Sequence, residues 1–275
     1  MASAGATEYL ASWAAKVRYE DLPESVVEEA KSQVMSVVAA VHAGAETEEG
    51  KIVGEVVRGW GAGDRATLIP SGARGTLHQA IYANAALSMA LDYDDYLFAG
   101  HTGHSAVLVS LALCEALGLP GRDWLLAQVI ANEIEGRIGA SVLLGPLNGQ
   151  LWSFIHLAGG AVIAGRLMGL DAARIRSALG IAFLQPPHGL WAPFFGSGAK
   201  TILGAGPAVA GVQAAEPCLR VRKVDDVVSD AHLTACPPSR LAPSRPGGRR
   251  LEWPGLATRA RPAGLCAARP GVSRW

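Results

Sequence analysis

Aromatic residues are scarce in this chain, at 6% of its 275 positions, although half of all residues are hydrophobic. The apolar residues are therefore mainly Ala, Val, Leu and Ile, and they are accompanied by 33 glycines. Because small side chains let backbones approach closely, this mixture favours helices that pack tightly against one another. At this length the chain can form one large domain or two small ones.

Cysteines are also few, and their spacing argues against the common uses of cysteine pairs. Cys114, Cys218, Cys236 and Cys266 include no C-x-x-C pair. We therefore expect neither a disulfide framework nor a metal site. The N-terminus lacks a basic region followed by an apolar core, which predicts a cytoplasmic protein without a secretory signal.

Two uncharged stretches, residues 138–165 and 177–199, are longer than the roughly 20 residues that span a bilayer. Turn-forming residues interrupt both of them. Pro146 and Asn148 lie within the first stretch, and Pro186-Pro187 lies within the second. Each stretch therefore predicts two buried segments around a turn, and we expect no association with a membrane.

Apolar residues recur at helical spacing along residues 1–216, and no alternation of period two has a useful length. Pro23 is expected in the first turn of a helix, while Asp123 and Asp171 are expected to cap two others. The only predicted strand is the short segment 66–69. The pattern predicts an all-α domain over residues 1–216.

The composition changes abruptly after this domain. Residues 217–275 contain eight of the 16 prolines and have a net charge of +7, whereas residues 1–216 have a net charge of −7. Too little apolar surface is available there to offset the entropy cost of ordering. We expect a poorly ordered tail, and no motif in it favours nucleic-acid binding. An alternative is that the tail is an out-of-frame translation of a GC-rich gene, because Arg, Pro, Gly and Ala dominate it.

The strongest functional signal lies between two apolar runs. Asp92-Tyr93-Asp94-Asp95 and His101-Thr102-Gly103-His104 bring three carboxylates and two imidazoles together in the sequence. Carboxylates and histidines gathered in a cleft are the usual groups for moving protons. The alternative is structural, since Asp94 and Asp95 can satisfy backbone donors and a histidine can be a hydrogen-bonded core residue.

Lys200 is the second signal, because it is the only charged residue between positions 177 and 215. A buried ammonium without a partner is costly. We therefore expect a carboxylate or an anionic ligand beside Lys200.

Two other interpretations use the same acidic and histidine residues. Asp92-Tyr93-Asp94-Asp95 fits the aspartate-rich pattern of helical terpene cyclases, but such enzymes line their pockets with aromatic rings. His101 and His104 with a carboxylate can bind a metal ion, but this spacing requires a helix, and Gly100 and Gly103 favour a loop. We prefer the proton-transfer interpretation to these two alternatives.

Residues 1–216 resemble the MmgE/PrpD family, whose members are lyases acting on small polycarboxylates such as 2-methylcitrate and cis-aconitate. The matching segments occur in the family's order along the chain. They are residues 23–31 (PESVVEEAK), 83–95 (ANAALSMALDYDD), 165–171 (GRLMGLD), 178–182 (ALGIA) and 196–200 (GSGAK).

This resemblance implies a large helical domain followed by a smaller α+β lid. It also implies a homodimer that works without a cofactor, and a role in propionate metabolism. Residues 217–275 do not resemble the lid, so we expect the lid to be absent. The implied partners are a small polycarboxylate substrate and a second copy of the chain.

The resemblance also implies catalytic residues. Asp92 and Lys200 match the family's aspartate and lysine, and either His101 or His104 matches its histidine. By this assignment Lys200 binds a carboxylate or acts as an acid, a histidine exchanges the proton, and Asp92 orients an imidazole.

Three further positions are candidates for substrate binding. Tyr96 stands where the family usually has threonine, and Ser105 belongs to the histidine segment. Gln150 occupies the position of a second family histidine, while His156 lies nearby but out of register.

The sequence thus predicts a dehydratase or decarboxylase that uses acid–base catalysis. The alternative is a truncated, non-catalytic chain that only associates through its helical surface.

Overall fold

The computed structural model describes residues 5–93, 95–97, 100–143, 153–185 and 198–220. In these ranges the chain is mostly helical, which confirms the all-α prediction. The helices are α1 (Ala6–Lys16), α2 (Glu24–Ala45), α3 (Glu48–Gly59), α4 (Leu77–Met89), α5 (Gly103–Leu117), α6 (Gly121–Leu143), α7 (Phe154–Leu167), α8 (Ala172–Phe183) and α9 (Ile202–Ala215). None of these helices is both long and apolar enough to cross a membrane.

The starts of several helices follow from local hydrogen bonding. At α4 the Thr76 hydroxyl accepts a bond from the Gln79 backbone N–H at 3.2 Å, and the Gln79 side chain accepts one from the Thr76 backbone N–H at 2.7 Å. At α8 the Asp171 carboxylate accepts a bond from the Arg174 backbone N–H at 2.9 Å, which confirms the predicted cap. These bonds satisfy N–H groups that have no partner within the helix.

The cap predicted at Asp123 is wrong. Helix α6 begins at Gly121, so Asp123 lies within its first turn. A carboxylate in this position still interacts favourably with the positive end of the helix dipole.

The predicted strand is present and has a partner that was not expected. Strand β1 (Ala66–Leu68) pairs antiparallel with β2 (Ala73–Gly75). Asn84 of α4 holds β1 in place, since its side chain donates to the Thr67 carbonyl at 2.9 Å and accepts from the Ile69 N–H at 3.0 Å. Strand β2 lacks β-branched residues and apolar alternation, so its sequence carries no strand signal.

Helix α7 is the centre of the core and packs against α1, α5, α6, α8 and α9. Each of its residues from Phe154 to Gly165 is buried. The tightest approach is to α9, where a Cβ added to Gly160 or Gly211 would overlap backbone atoms of the other helix. The abundance of small residues therefore has the packing role that the composition predicted.

The described fold continues slightly beyond residue 216. A short 3-10 turn, Pro217–Leu219, follows α9, and Cys218 in this turn is completely buried. Residues 221–275, which include nearly all of the predicted tail, lie outside the described residues.

Candidate active site

The candidate site surrounds the loop between α4 and α5, which carries Asp92, Asp95 and His101, and the first turn of α5, which carries His104. Asp92 in this loop has a φ of 53°, the one positive φ among the described residues other than glycine. This left-handed conformation is uncommon and is best tolerated by residues such as aspartate and asparagine. The loop therefore holds Asp92 in a backbone conformation that most other side chains would resist.

Asp92 and Lys200 form an ion pair between the Oδ2 and Nζ atoms. Lys200 lies in the short 3-10 turn Gly198–Thr201, directly before α9. The exposed fractions of the two side chains are 32% for Asp92 and 19% for Lys200, so solvent screens the pair only partly. Asp92 is therefore the carboxylate that the sequence led us to expect beside this lysine.

Three imidazole rings form a row that leads from the loop into the core. The rings of His101 and His104 are stacked with centroids 5.9 Å apart, and the rings of His104 and His156 are 5.7 Å apart. His101 is partly buried, whereas His104 and His156 are completely buried. Tyr96 packs edge-on against His101 at 5.3 Å and is itself 51% exposed.

The start of α9 connects this row to Lys200. Gly204 follows it by one helical turn, and a Cβ added to Gly204 would lie 3.4 Å from His156 Nε2 and 3.5 Å from His104 Cβ. One turn of helix advances about 5.4 Å. The backbone that follows Lys200 therefore packs against the inner imidazoles.

The Ser88 side chain orients the His104 ring. Ser88 Oγ lies 2.7 Å from His104 Nδ1 and 2.8 Å from the Ala85 carbonyl oxygen. A hydroxyl has one hydrogen to donate. When Ser88 donates it to Ala85, His104 Nδ1 donates to Ser88, and His104 Nε2 holds the lone pair of a base.

Two side chains of the site, Glu135 and His156, were not assigned to it from the sequence. Ser105 Oγ lies 2.8 Å from Glu135 Oε2 and 2.7 Å from His156 Nδ1, and all three residues are completely buried. Burial raises the pKa of the Glu135 carboxyl well above its ordinary range, against the effect of the Ser105 hydrogen bond. Burial, together with the neighbouring His104 and His101, lowers the pKa of His156 well below its ordinary range.

Helical spacing contains a signal that finds one of these residues. Ala127, Ala131 and Glu135 recur at intervals of four residues in α6, and all are completely buried. Residues at this spacing share one face of a helix. A carboxylate in line with two core alanines therefore predicts a buried acid, which our sequence analysis missed.

Asp95 has a supporting position beside the site. It is 3% exposed, and its Oδ2 accepts a hydrogen bond of 2.7 Å from Gln33 Nε2 of α2. Thr102, at the end of the same loop, donates to Asn132 Oδ1 of α6 at 2.6 Å. These bonds attach the loop to two helices, which favours the structural interpretation of Asp95.

The other predicted site residues have mixed positions. The hydroxyl of Ser105 faces Glu135 and His156, while Tyr96 is exposed, and substrate binding by either residue stays a prediction. Gln150 lies outside the described residues. Among the residues that are described, no three His, Cys, Asp or Glu side chains are grouped so that they could hold a metal ion.

Comparisons with known proteins agree with the resemblance. A family model described as the MmgE/PrpD N-terminal domain matches residues 8–222. Cis-aconitate decarboxylase of Aspergillus terreus is 27% identical over 195 residues, which is 67% of this chain and 40% of that relative. The cis-aconitate decarboxylase of Aspergillus terreus strain NIH 2624 / FGSC A1156 matches with the same identity and coverage. The chain thus spans 40% of the length of these curated relatives.

Proposed function

Because the chain belongs to the MmgE/PrpD family, we propose that it supplies the acid–base groups of a lyase that acts on a small polycarboxylate. The name of the relatives, cis-aconitate decarboxylase, favours cis-aconitate or a similar acid such as 2-methylcitrate as the substrate. The single observation that supports this proposal best is the Lys200–Asp92 pair, because Lys200 lies only four residues before Gly204, which packs against the inner imidazoles.

Lys200 is the proposed ligand of a substrate carboxylate. Its ammonium has three N–H donors, so it can bind more than one oxygen atom at a time. The partly buried position strengthens attraction to an anion relative to bulk water. Asp92 balances this charge when no substrate is bound, which keeps the ammonium stable inside the domain.

His104 is the proposed proton-transfer group. Ser88 holds its ring, and the tautomer in which His104 donates to Ser88 leaves Nε2 free of hydrogen and able to accept a proton. In a dehydration this nitrogen removes the proton next to a carboxylate. In a decarboxylation its protonated form returns one proton to the carbon that has lost carbon dioxide.

His101 is the proposed link between His104 and solvent. It stacks on His104 and is the more exposed of the two rings, so it can exchange protons with water between turnovers. The homodimer implied by the family resemblance stays part of this proposal.

The test is an assay of the full chain on cis-aconitate and on 2-methylcitrate, comparing it with Lys200→Ala. We expect the substitution to lower turnover by about 100-fold or more, because positioned charges contribute on this scale. Lys51→Ala is the matched control, since Lys51 pairs with Glu48 on the surface of α3 and should retain full activity.

Two outcomes would contradict the proposal. Equal turnover by the native chain and Lys200→Ala would remove Lys200 from the site. Absence of turnover on both acids would favour the alternative, a non-catalytic chain that only associates through its helices.

A further inference from the structure

The buried residues behind His104 form a continuous hydrogen-bonded chain. Glu135 of α6, Ser105 of α5 and His156 of α7 come from three different helices and meet at Ser105 Oγ. The Glu135 carboxylate and His156 Nδ1 are 3.8 Å apart, on either side of this hydroxyl. The His156 ring also lies 5.7 Å, centroid to centroid, from the ring of His104, the proposed proton-transfer group.

The packing gives the Glu135 carboxyl a defined place in the core. It lies against Gly159 of α7, where an added Cβ would come within 2.6 Å of Glu135 Cδ. Gly159 is therefore the residue that makes room for this acid between two helices. Such an arrangement holds the carboxyl close to Ser105 and His156.

Two hydrogen-bond patterns are compatible with this chain. In the first, Glu135 is a carboxylate, Ser105 donates to it, and an imidazolium at His156 donates to Ser105. In the second, a neutral Glu135 donates to Ser105, and Ser105 donates to a neutral His156. A shift of two protons along the chain converts one pattern into the other. Its net result is the transfer of one proton between Glu135 and His156.

Burial favours the neutral pattern. Complete burial makes ionised groups costly, and it acts in the same direction on both residues. The pKa of Glu135 is raised, with Asp95 as the nearby carboxylate that adds to the effect, and the pKa of His156 is lowered, with His104 and His101 as the nearby imidazoles. Both effects favour a protonated Glu135 over an ionised one, at a position connected to the imidazole row.

We propose that Glu135, Ser105 and His156 form a proton relay, in which Glu135 stores one proton and Ser105 passes it to the His156 ring beside His104. The relay depends on the proposed function only for its last step, in which it replaces the proton that the lyase site gives to its product.

The proton balance of the relay is simple. The Glu135 carboxyl gives its proton to Ser105 Oγ while Ser105 gives its own proton to His156 Nδ1. These two transfers leave a carboxylate at Glu135 and an imidazolium at His156. The imidazolium then gives its Nε2 proton to His104, which in turn protonates the product. The relay is restored when solvent returns one proton through His101 and His104 to His156, and the two transfers run in reverse to protonate Glu135. Glu135, Ser105 and His156 are thus positioning residues that act through His104.

The first experiment observes the stored proton directly and requires no activity. Infrared spectra of the full chain should show the carbonyl stretch of a protonated carboxylic acid at about pH 7, well above the ordinary glutamate pKa of about 4.3. The band should disappear in Glu135→Gln and persist in Glu133→Gln. Glu133 is the matched control because it lies on the same helix but pairs with Arg137.

Histidine ring nitrogen chemical shifts provide the second readout. In the native chain His156 should remain neutral below about pH 6, where an ordinary histidine is protonated. Ser105→Ala should change the His156 ring signals, because it removes the hydroxyl that contacts Nδ1, and Ser105→Thr should restore them. A missing carboxylic acid band at about pH 7, a His156 ring that titrates near its ordinary pKa, or His156 signals unchanged by Ser105→Ala would overturn the relay.

Kinetics separate the relay from the proposed function. If the native chain is active, we expect Ser105→Ala to lower kcat about tenfold or more with little change in KM, to shift the pH–rate profile, and to be rescued by Ser105→Thr. An unchanged kcat and pH profile in Ser105→Ala would overturn the relay while leaving the lyase in place. An inactive native chain would contradict the proposed function, and the two spectroscopic measurements would still decide whether the stored proton exists.

Discussion

Asp92 and Glu135 are both carboxylates of the candidate site, but one contacts an ammonium and the other contacts a hydroxyl. The Asp92 side chain is 32% exposed and pairs with Lys200, so its charge is balanced by a neighbouring charge. Glu135 is completely buried, and its carboxyl contacts Ser105 and lies 3.8 Å from the His156 ring. The two carboxyls therefore differ in partner and burial, and complete burial favours the neutral form of Glu135.

The difference has a consequence for chemistry. An ion pair at the partly exposed end can attract an anionic substrate, because the ammonium can share its donors between Asp92 and a second carboxylate. A neutral acid at the buried end can hold a proton for transfer. The two ends therefore suit the two tasks that an acid–base lyase requires, which are substrate binding and proton exchange.

The largest expected effect comes from replacing the buried acid and following stability with pH. A group whose pKa is raised by folding contributes stability below its unfolded pKa, and this contribution is lost as the pH rises toward the folded pKa. Above pH 4.5, the ordinary value for Glu135, the native chain should therefore lose stability relative to Glu135→Gln. The loss should reach up to about 1.4 kcal/mol for each pH unit.

Urea unfolding of both chains between about pH 5 and pH 8 measures this difference. Glu133→Gln serves as the control, because its carboxylate is paired with Arg137. Parallel stability curves for the native chain and Glu135→Gln would mean that burial does not raise the pKa of Glu135, and the comparison between the two carboxyls would fail.

The second expected effect comes from filling the space that holds the buried acid. In Gly159→Ala the new methyl group overlaps Glu135, so we expect a loss of about 1–3 kcal/mol in the free energy of unfolding. Gly54→Ala in the middle of α3 is the matched control, since its Cβ would meet only Arg58 Nη1, at 3.6 Å. That substitution should stabilise the chain by about 0.5–1 kcal/mol, because alanine has the higher helix propensity.

Urea denaturation at neutral pH measures both alanine variants. Equal stability changes in Gly159→Ala and Gly54→Ala would show that Glu135 has no fixed position against α7, and that its side chain moves to make room for the methyl group.

The smallest expected effect concerns the ion pair. A double-mutant cycle with Asp92→Asn and Lys200→Met should give a coupling energy of about 1 kcal/mol, since the pair is only partly screened by solvent. The same cycle at Arg18 and Asp21, an exposed pair, is the comparison and should give a smaller coupling. A coupling at Asp92 and Lys200 no larger than at the exposed pair would mean that their partial burial adds nothing to the strength of the pair.

Local features of the fold were accessible to sequence analysis. The residues at Thr76 and Asp171 cap helices because their side-chain oxygens lie within reach of the next turn, an interaction that needs no distant partner. The exceptions are local as well. Asp123 is a residue type that often caps helices, but it lies inside the first turn of α6. The three residues of β2 form a strand because they pair with β1.

The candidate site was only partly accessible. The motif around Asp92 and the isolated charge of Lys200 drew attention to both ends of an ion pair that are 108 residues apart, and the requirement for a carboxylate followed from the cost of burying an ammonium. Glu135 and His156 received no role because neither occupies a position of a recognised motif. Ser105 connects Glu135 with His156, whereas the sequence analysis predicted that Ser105 contacts the substrate.

By itself, the sequence of this protein determined the helical fold, the family, and the segments that carry ionisable side chains, because helix periodicity, capping and motif order are properties of neighbouring residues. The tertiary structure decided which side chains meet and which of them stay charged. Partners and solvent exposure depend on helices that are distant in the sequence, and the free energy of a charge depends on both.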